Sequence, residues 1–299
     1  MNASIRQKII ATIGYADVFD YPLTRAELQR WLIGGGAATA VPGITPVQKG
    51  GKTYYILPGK NIIVDQRHKR QVTAKGKWQK IRSIIPAFTW IPTLLLVGVT
   101  GGLSMNNAEA SDDIDLFFIA RAGTLWFTRL LVTMTADWLS VRRRPNQESF
   151  ADKICLNMYM AQDALTLPED DQDLFAAHEV LQMVPMWYRG GIYSQFLSAN
   201  DWVKTYLPNA WREKCQTLND KWPIEKNFAF SIGHLALKLF EPTARALQLW
   251  YMAHHRTTEV IAMGVLRFHP KDARVWVKQK YARRLKKYNI PLDKIFHHR

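Results

Sequence analysis

"TGGLSMNNAEASDDIDLFFIA", Thr100 to Ala120, places two glycines, a polar loop and three aspartates directly ahead of an apolar run. In a β-strand successive side chains alternate between faces, so Asp113 and Asp115 project together while Ile114, Leu116 and Phe118 fill the opposite face. Two unit charges about 4 Å apart repel by roughly 4 kcal/mol at an effective dielectric of 20, so such a pair needs a counter-charge. A divalent cation can supply it: Mg²⁺ prefers oxygen ligands and is commonly held by one or two carboxylates plus phosphate oxygens. Gly101 and Gly102 let a phosphate approach the backbone without an intervening Cβ, and N–H groups there can donate to its oxygens. Asp112 points to the other face and reads as a loop or cap residue.

Working outward, "TLLLVGVT" (93–100) predicts a buried strand before the glycines, and "TLWFTRLLVTMTADWLSV" (124–141) a helix after the acidic strand. The loop "RRRPNQESFAD" leads into a third strand, "KICLNMYM" (153–160). Upstream, "SIRQKIIATIGYADVF" is an amphipathic helix with Ile5, Ile9, Ile13 and Ala16 on one stripe. Thr24 and Glu27 form a capping box for a second helix, and "VQKGGKTYYIL" a hairpin turning at Gly50-Gly51. Helix, helix, linker and hairpin resemble a winged helix. The linker "GGGAATAVPGITP" occupies the place of a recognition helix, and its glycines and prolines argue against sequence-specific DNA reading. A basic helix over 66–85 connects this module to the strands. From about residue 165 helical signals dominate, ending in a helix with Val277, Tyr281, Leu285 and Tyr288 on one stripe. The expected organisation is α+β: a winged-helix-like module over 1–75, a mixed-sheet core over 76–165 and a helical region over 166–299.

"VGVTGGLSMNNAEASDDIDLFFI" resembles the signature of the DNA polymerase β-like nucleotidyltransferase superfamily: an apolar strand, Gly-Gly or Gly-Ser, a spacer, then Asp-x-Asp and apolar residues. More loosely, "YADVFDYPLT", "KICLN" and "FLSANDWVKTYLPN" are similar to bacterial nucleotidyltransferase-domain proteins with a helical N-terminal module. The resemblance implies a nucleotidyltransferase core, Mg²⁺ or Mn²⁺, and transfer of a nucleoside monophosphate from a nucleoside triphosphate to a hydroxyl acceptor. It assigns Gly101 and Gly102 to the phosphates, with Ser104 adding a hydroxyl, and Asp113 and Asp115 to the metal. Arg121 and Arg129 are candidate phosphate contacts. The superfamily usually supplies a third carboxylate from a neighbouring strand, where this chain has Asn157. An amide takes no proton and ligates metal more weakly, so the alternative is a catalytically degenerate nucleotide sensor or nucleic-acid-binding regulator.

Composition bounds the partners. At 299 residues, 47% hydrophobic and 22% charged, the chain is of ordinary globular make-up. Two cysteines build no disulfide framework, and the N-terminus lacks the pattern of a signal peptide, so a cytoplasmic location is expected. The longest apolar run, Ile84–Val99, is broken by two prolines and is too short for a membrane span. Residues 60–82 carry +7 and residues 271–299 carry +8, which together account for the net charge of +15. Two readings stay open for these segments: a polyanionic partner, whether nucleic acid, nucleotide or acidic surface, or a solvated helix face.

Overall fold

The computed structural model describes residues 4–38, 44, 46–144, 147, 149–220, 237–253, 259–262, 264–268 and 273–290. It is a mixed α+β structure built on two sheets. The first helix, α1 (Ile5–Asp17), starts at a capping box of Ser4 and Gln7. Strand β1 (Leu23–Thr24) leads into α2 (Arg25–Arg30), whose Thr24–Glu27 capping box forms as the sequence predicts. The hairpin β2 (Val47–Lys49) and β3 (Lys52–Tyr55) joins β1 in an antiparallel sheet of order β1-β3-β2. Residues 39–43 and 45 of the glycine-rich linker lie outside the described residues.

Helix α3 (Ile62–Ile84) ends at a 3₁₀ turn, Ile85–Phe88, and hands over to the main sheet. Strand β4 (Leu94–Val99) is buried at every position, as its unbroken apolar run requires. A one-turn helix, α4 (Gly101–Ser104), and a loop connect it to β5 (Ile114–Ala120). Helix α5 (Leu125–Trp138) then crosses to β6 (Ile154–Ala161), which pairs parallel to β5 with Asp115 opposite Cys155. The remaining elements are α6 (Leu174–Gln182), β7 (Val184–Tyr188), α7 (Ile192–Ala199), α8 (Val203–Tyr206), α9 (Pro208–Asp220), α10 (Glu241–Ala253), β8 (Glu259–Ala262), β9 (Val265–Phe268) and α11 (Ala273–Lys287).

The main sheet has the order β7-β4-β5-β6-β9-β8, antiparallel throughout except for β5 and β6. Three of its strands come from 166–299, where only helices are expected from the sequence. These strands are four or five residues long, and β7 carries Pro185, which an edge position tolerates because one side of the strand needs no ladder bond. Too short to show a period of two, they are defined by the strands they pair with.

Alternation along β5 divides the core. Ile114, Leu116 and Phe118 are fully buried against α3, α5 and α10, each side chain contributing roughly 1.5–3 kcal/mol. Phe117 and Ile119 face the other way, into a cluster formed with α1, α2, α6, α7 and α11. Asp115 shares that second face. Among the described residues, no helix is long and apolar enough to cross a membrane.

Candidate functional site

The two carboxylates of the acidic strand do come together. Asp113 ends the loop before β5 and Asp115 is the second residue of the strand. Parallel pairing adds a group that the sequence gives no reason to choose: ligand atoms of Asp113, Asp115 and Cys155 all lie within 4.8 Å of one another. A second such group is Arg143. Its guanidinium donates to Asp113 Oδ2 at 2.6 Å, reaches Cys155 Sγ at 3.8 Å and lies over the Phe150 ring at 4.1 Å. Its backbone N–H donates to the Ile154 carbonyl at 2.8 Å, which fixes the loop after α5 beside β6. The counter-charge that the sequence assigns to a metal is thus at least partly an arginine.

Burial lowers the pKa of Arg143, but the hydrogen bond and charge of Asp113, with a smaller contribution from Cys155, together outweigh this and leave it raised. Burial, followed by the charges of Asp115 and Asp113, pushes the Cys155 thiol well above its ordinary range, so it stays protonated at neutral pH. A protonated sulfur is a poor partner for a hard cation, whereas two carboxylates are a sufficient protein contribution for Mg²⁺ bound with phosphate. The residues fit Mg²⁺ through Asp113 and Asp115, with Cys155 beside the site and not in it.

The glycine turn is built against this pair. Gly101 has φ +64°, and a Cβ there would stand 2.3 Å from Asp115 Oδ2, so both backbone conformation and close approach require glycine. The Thr100 N–H donates to the Asp115 carbonyl at 3.0 Å, tying the turn to the strand. The Gly102 carbonyl accepts from Asn107 N–H at 2.8 Å, and the Ser104 hydroxyl donates to the Gly101 carbonyl at 2.8 Å, so Ser104 braces the turn. Asp112 accepts from Glu109 N–H at 2.7 Å, the loop-capping part its position suggests.

Asn157 lies in β6, but its side chain falls outside the described residues. The ladder passes from Leu116–Leu156 to Phe117–Met158, so the register shifts at this position. Asp152, the flanking carboxylate, is held by Lys77 at 2.7 Å and Lys80 at 3.6 Å. Arg129 donates to Gln248 and lies beside Trp126, where α5 meets α10.

Asp115, Gly101 and Gly102 form one end of a cavity of about 790 Å³. Its walls are the sheet face at Phe117, Met158 and Met160, then α1, α6 and the start of α11. His178 is buried in the wall, stacked on Tyr15 at 4.1 Å and on Trp31 at 5.4 Å, and its Nδ1–H donates to the Leu174 carbonyl at 2.9 Å. Burial lowers the His178 imidazole to about 4, and burial alone raises the Glu179 carboxyl beside it to about 7. Arg267 and Arg274 line the same cavity, and both pair with Asp171.

The basic segments are less free than their charge suggests. Arg67 is 4% exposed, forks onto Glu27 at 2.7 and 2.8 Å and stacks over Tyr21. Burial raises the Glu27 pKa, but hydrogen bonds and charge from Arg67 overcome this and hold it at about 2. Lys77 is buried against Asp152 and the Asp112 carbonyl, and Arg70 pairs with Glu109. In the second segment Arg274 and Lys278 pair with Asp173, and Arg284 with Asp17. Residues 271–272 and 291–299 of that segment lie outside the described residues. Comparison of the chain with protein-family models, with curated proteins and with solved structures finds no match to any of them.

Proposed function

We propose that this chain is a Mg²⁺-dependent nucleotidyltransferase, its main sheet a nucleotidyltransferase core and α1–β3 a winged-helix-like module. One observation carries the reading: the φ-positive Gly101 turn closes onto Asp115 so tightly that no side chain fits between them. Gly101, Gly102 and Asp115 line one cavity side by side, so a metal-bound triphosphate seated in it would meet the turn's backbone and the carboxylate together. When bound, Mg²⁺ supplies neutralisation of phosphate charge. Asp113 and Asp115 hold the metal, and the turn orients the phosphates. A bond forms between the acceptor oxygen and the α-phosphorus as the bond to the bridging oxygen breaks; pyrophosphate leaves and the hydroxyl proton passes to water.

A second reading, nucleotide sensing without transfer, is favoured by the ligand set itself. Among the described residues the cluster contains two carboxylates and a protonated thiol, with no third carboxylate to take a proton. Both readings require Mg²⁺–nucleotide binding, and turnover separates them. Calorimetry with each nucleoside triphosphate should show Mg²⁺-dependent binding that Asp113→Asn and Asp115→Asn each abolish in a folded protein. Arg143→Gln should tighten Mg²⁺ binding by about tenfold, since a charge-assisted hydrogen bond of about 1.5–3 kcal/mol no longer competes for Asp113. Unchanged nucleotide affinity in the Asp113/Asp115 double variant sinks the site, and pyrophosphate release with a hydroxyl acceptor decides for the enzyme.

A further inference from the structure

The cavity that begins at Asp115 is far larger than a metal with its phosphates needs, and its far wall has a chemistry of its own. Its volume of about 790 Å³ lies in the range of small-molecule pockets. Aromatic side chains dominate that wall: Tyr15 and Phe19 from α1, Trp31 after α2, Phe175 on α6 and Trp276 on α11. Four polar groups decide what it can hold. The Arg267 and Arg274 guanidinium groups are committed to Asp171. The Trp31 indole N–H is buried and has no hydrogen-bond partner, in a residue only 5% exposed. Glu179 has no ion-pair or side-chain hydrogen-bond partner among the described residues. Protein surrounds it, yet it keeps accessible surface, and the space it meets is the cavity.

A carboxylate facing an aromatic enclosure with no cation of its own is costly to ionise, and a ligand cation removes that cost. Aromatic faces attract the same cation through their quadrupoles. We infer that the cavity binds a small aromatic amine, its ammonium paired with Glu179 and its ring among Tyr15, Phe19 and Trp31. A polymer end does not fit this chemistry, because nucleic acid would bring phosphate charge toward Glu179, which has no cation beside it among the described residues. That the amine is the acceptor, presenting a hydroxyl toward Asp115, rests on the nucleotidyltransferase reading; the binding does not.

Tyramine, 4-ethylphenol and 3-(4-hydroxyphenyl)propanoate share a phenol and differ in carrying a cation, no charge and an anion. Calorimetry on the full chain without metal or nucleotide should rank tyramine at least about tenfold tighter than 4-ethylphenol, as one desolvated charge pair implies. Glu179→Gln should erase that difference while leaving 4-ethylphenol affinity within about twofold, and a cooperative unfolding transition at or above the wild-type midpoint establishes that the variant is folded. Asp113→Asn should keep tyramine selectivity. Equal affinity for tyramine and 4-ethylphenol, preference for the propanoate, or binding of a single-stranded RNA oligonucleotide with none of the three overturns the inference. Tyramine selectivity in a protein that binds no Mg²⁺–nucleotide leaves this inference standing and removes the reading of the Asp113–Asp115 site.

Discussion

At the scale of single residues, His178 and Glu179 are adjacent in α6, and burial shifts their titrations in opposite directions. Glu179 titrates at about 7 instead of 4.5, so between those values the folded protein holds a proton that the unfolded chain releases. Stability from this group falls as pH rises through the window, by on the order of 3 kcal/mol. His178 titrates at about 4 instead of 6.5, so there the unfolded chain binds the extra proton. Its contribution is complete above 6.5 and falls as pH drops toward 4. The opposing slopes overlap and partly cancel in the wild type. Glu179→Gln should therefore stabilise the protein at pH 8, by up to about 3 kcal/mol, and leave it nearly unchanged at pH 4.5. Urea unfolding at the two pH values checks this. An equal gain at both would mean that the effect is packing, not charge. Neither shift is legible in the sequence, where "HEV" looks like an ordinary polar step on a helix.

At the scale of elements, α1 and α11 lie 267 residues apart in sequence at their Asp17–Arg284 contact, a hydrogen bond of 2.9 Å. Asp17 is the last residue of α1 and is 3% exposed. A carboxylate at a helix C-terminus meets the negative end of the macrodipole, so it depends on its partner. Removing that partner leaves a buried charge uncompensated. Arg284→Met should cost about 3–5 kcal/mol, and Asp17→Asn combined with it should cost less than the single change. The comparison is a double-mutant cycle by urea unfolding, and equal losses in single and double variants would refute it. Local signals did define most elements: the Thr24–Glu27 capping box, the Gly50-Gly51 hairpin, the buried β4 and the Val277–Tyr281–Leu285 stripe all form as the residues predict. The "EVIA" and "VLRF" strands fall in a stretch read as helix, because four residues carry too little periodicity to outweigh their helical neighbours.

At the scale of the whole molecule, ion pairing leaves the excess of +15 unchanged, because 40 Lys and Arg face 25 Asp and Glu, and decides only which cations stay exposed. On α11 the exposed cations with no ion pair among the described residues are Lys280, Arg283, Lys286 and Lys287, Lys280 lying over the Trp276 ring, while Arg284 is tied to Asp17. A nucleic acid held by this face should bind with log affinity falling linearly in log salt, at about −0.7 per phosphate contacted on single strands. Replacing Arg283, Lys286 and Lys287 by Gln should flatten the slope, by filter binding or fluorescence anisotropy. No binding of single-stranded RNA or DNA at about 50 mM salt assigns these cations to solvation alone.

The sequence by itself determined which residues could carry the chemistry. A period of two put Asp113 and Asp115 on one face, and the double glycine marked the turn before them, because both signals are local and depend only on backbone geometry. It also determined most helices and their caps. Tertiary structure decided what surrounds that pair. Strand register set Cys155 opposite Asp115, a loop after α5 delivered Arg143 to Asp113, and helices near both ends of the chain enclosed the cavity. Each of these depends on which strands hydrogen-bond and which apolar faces meet, and such pairings join residues too far apart in the chain for any local pattern to encode.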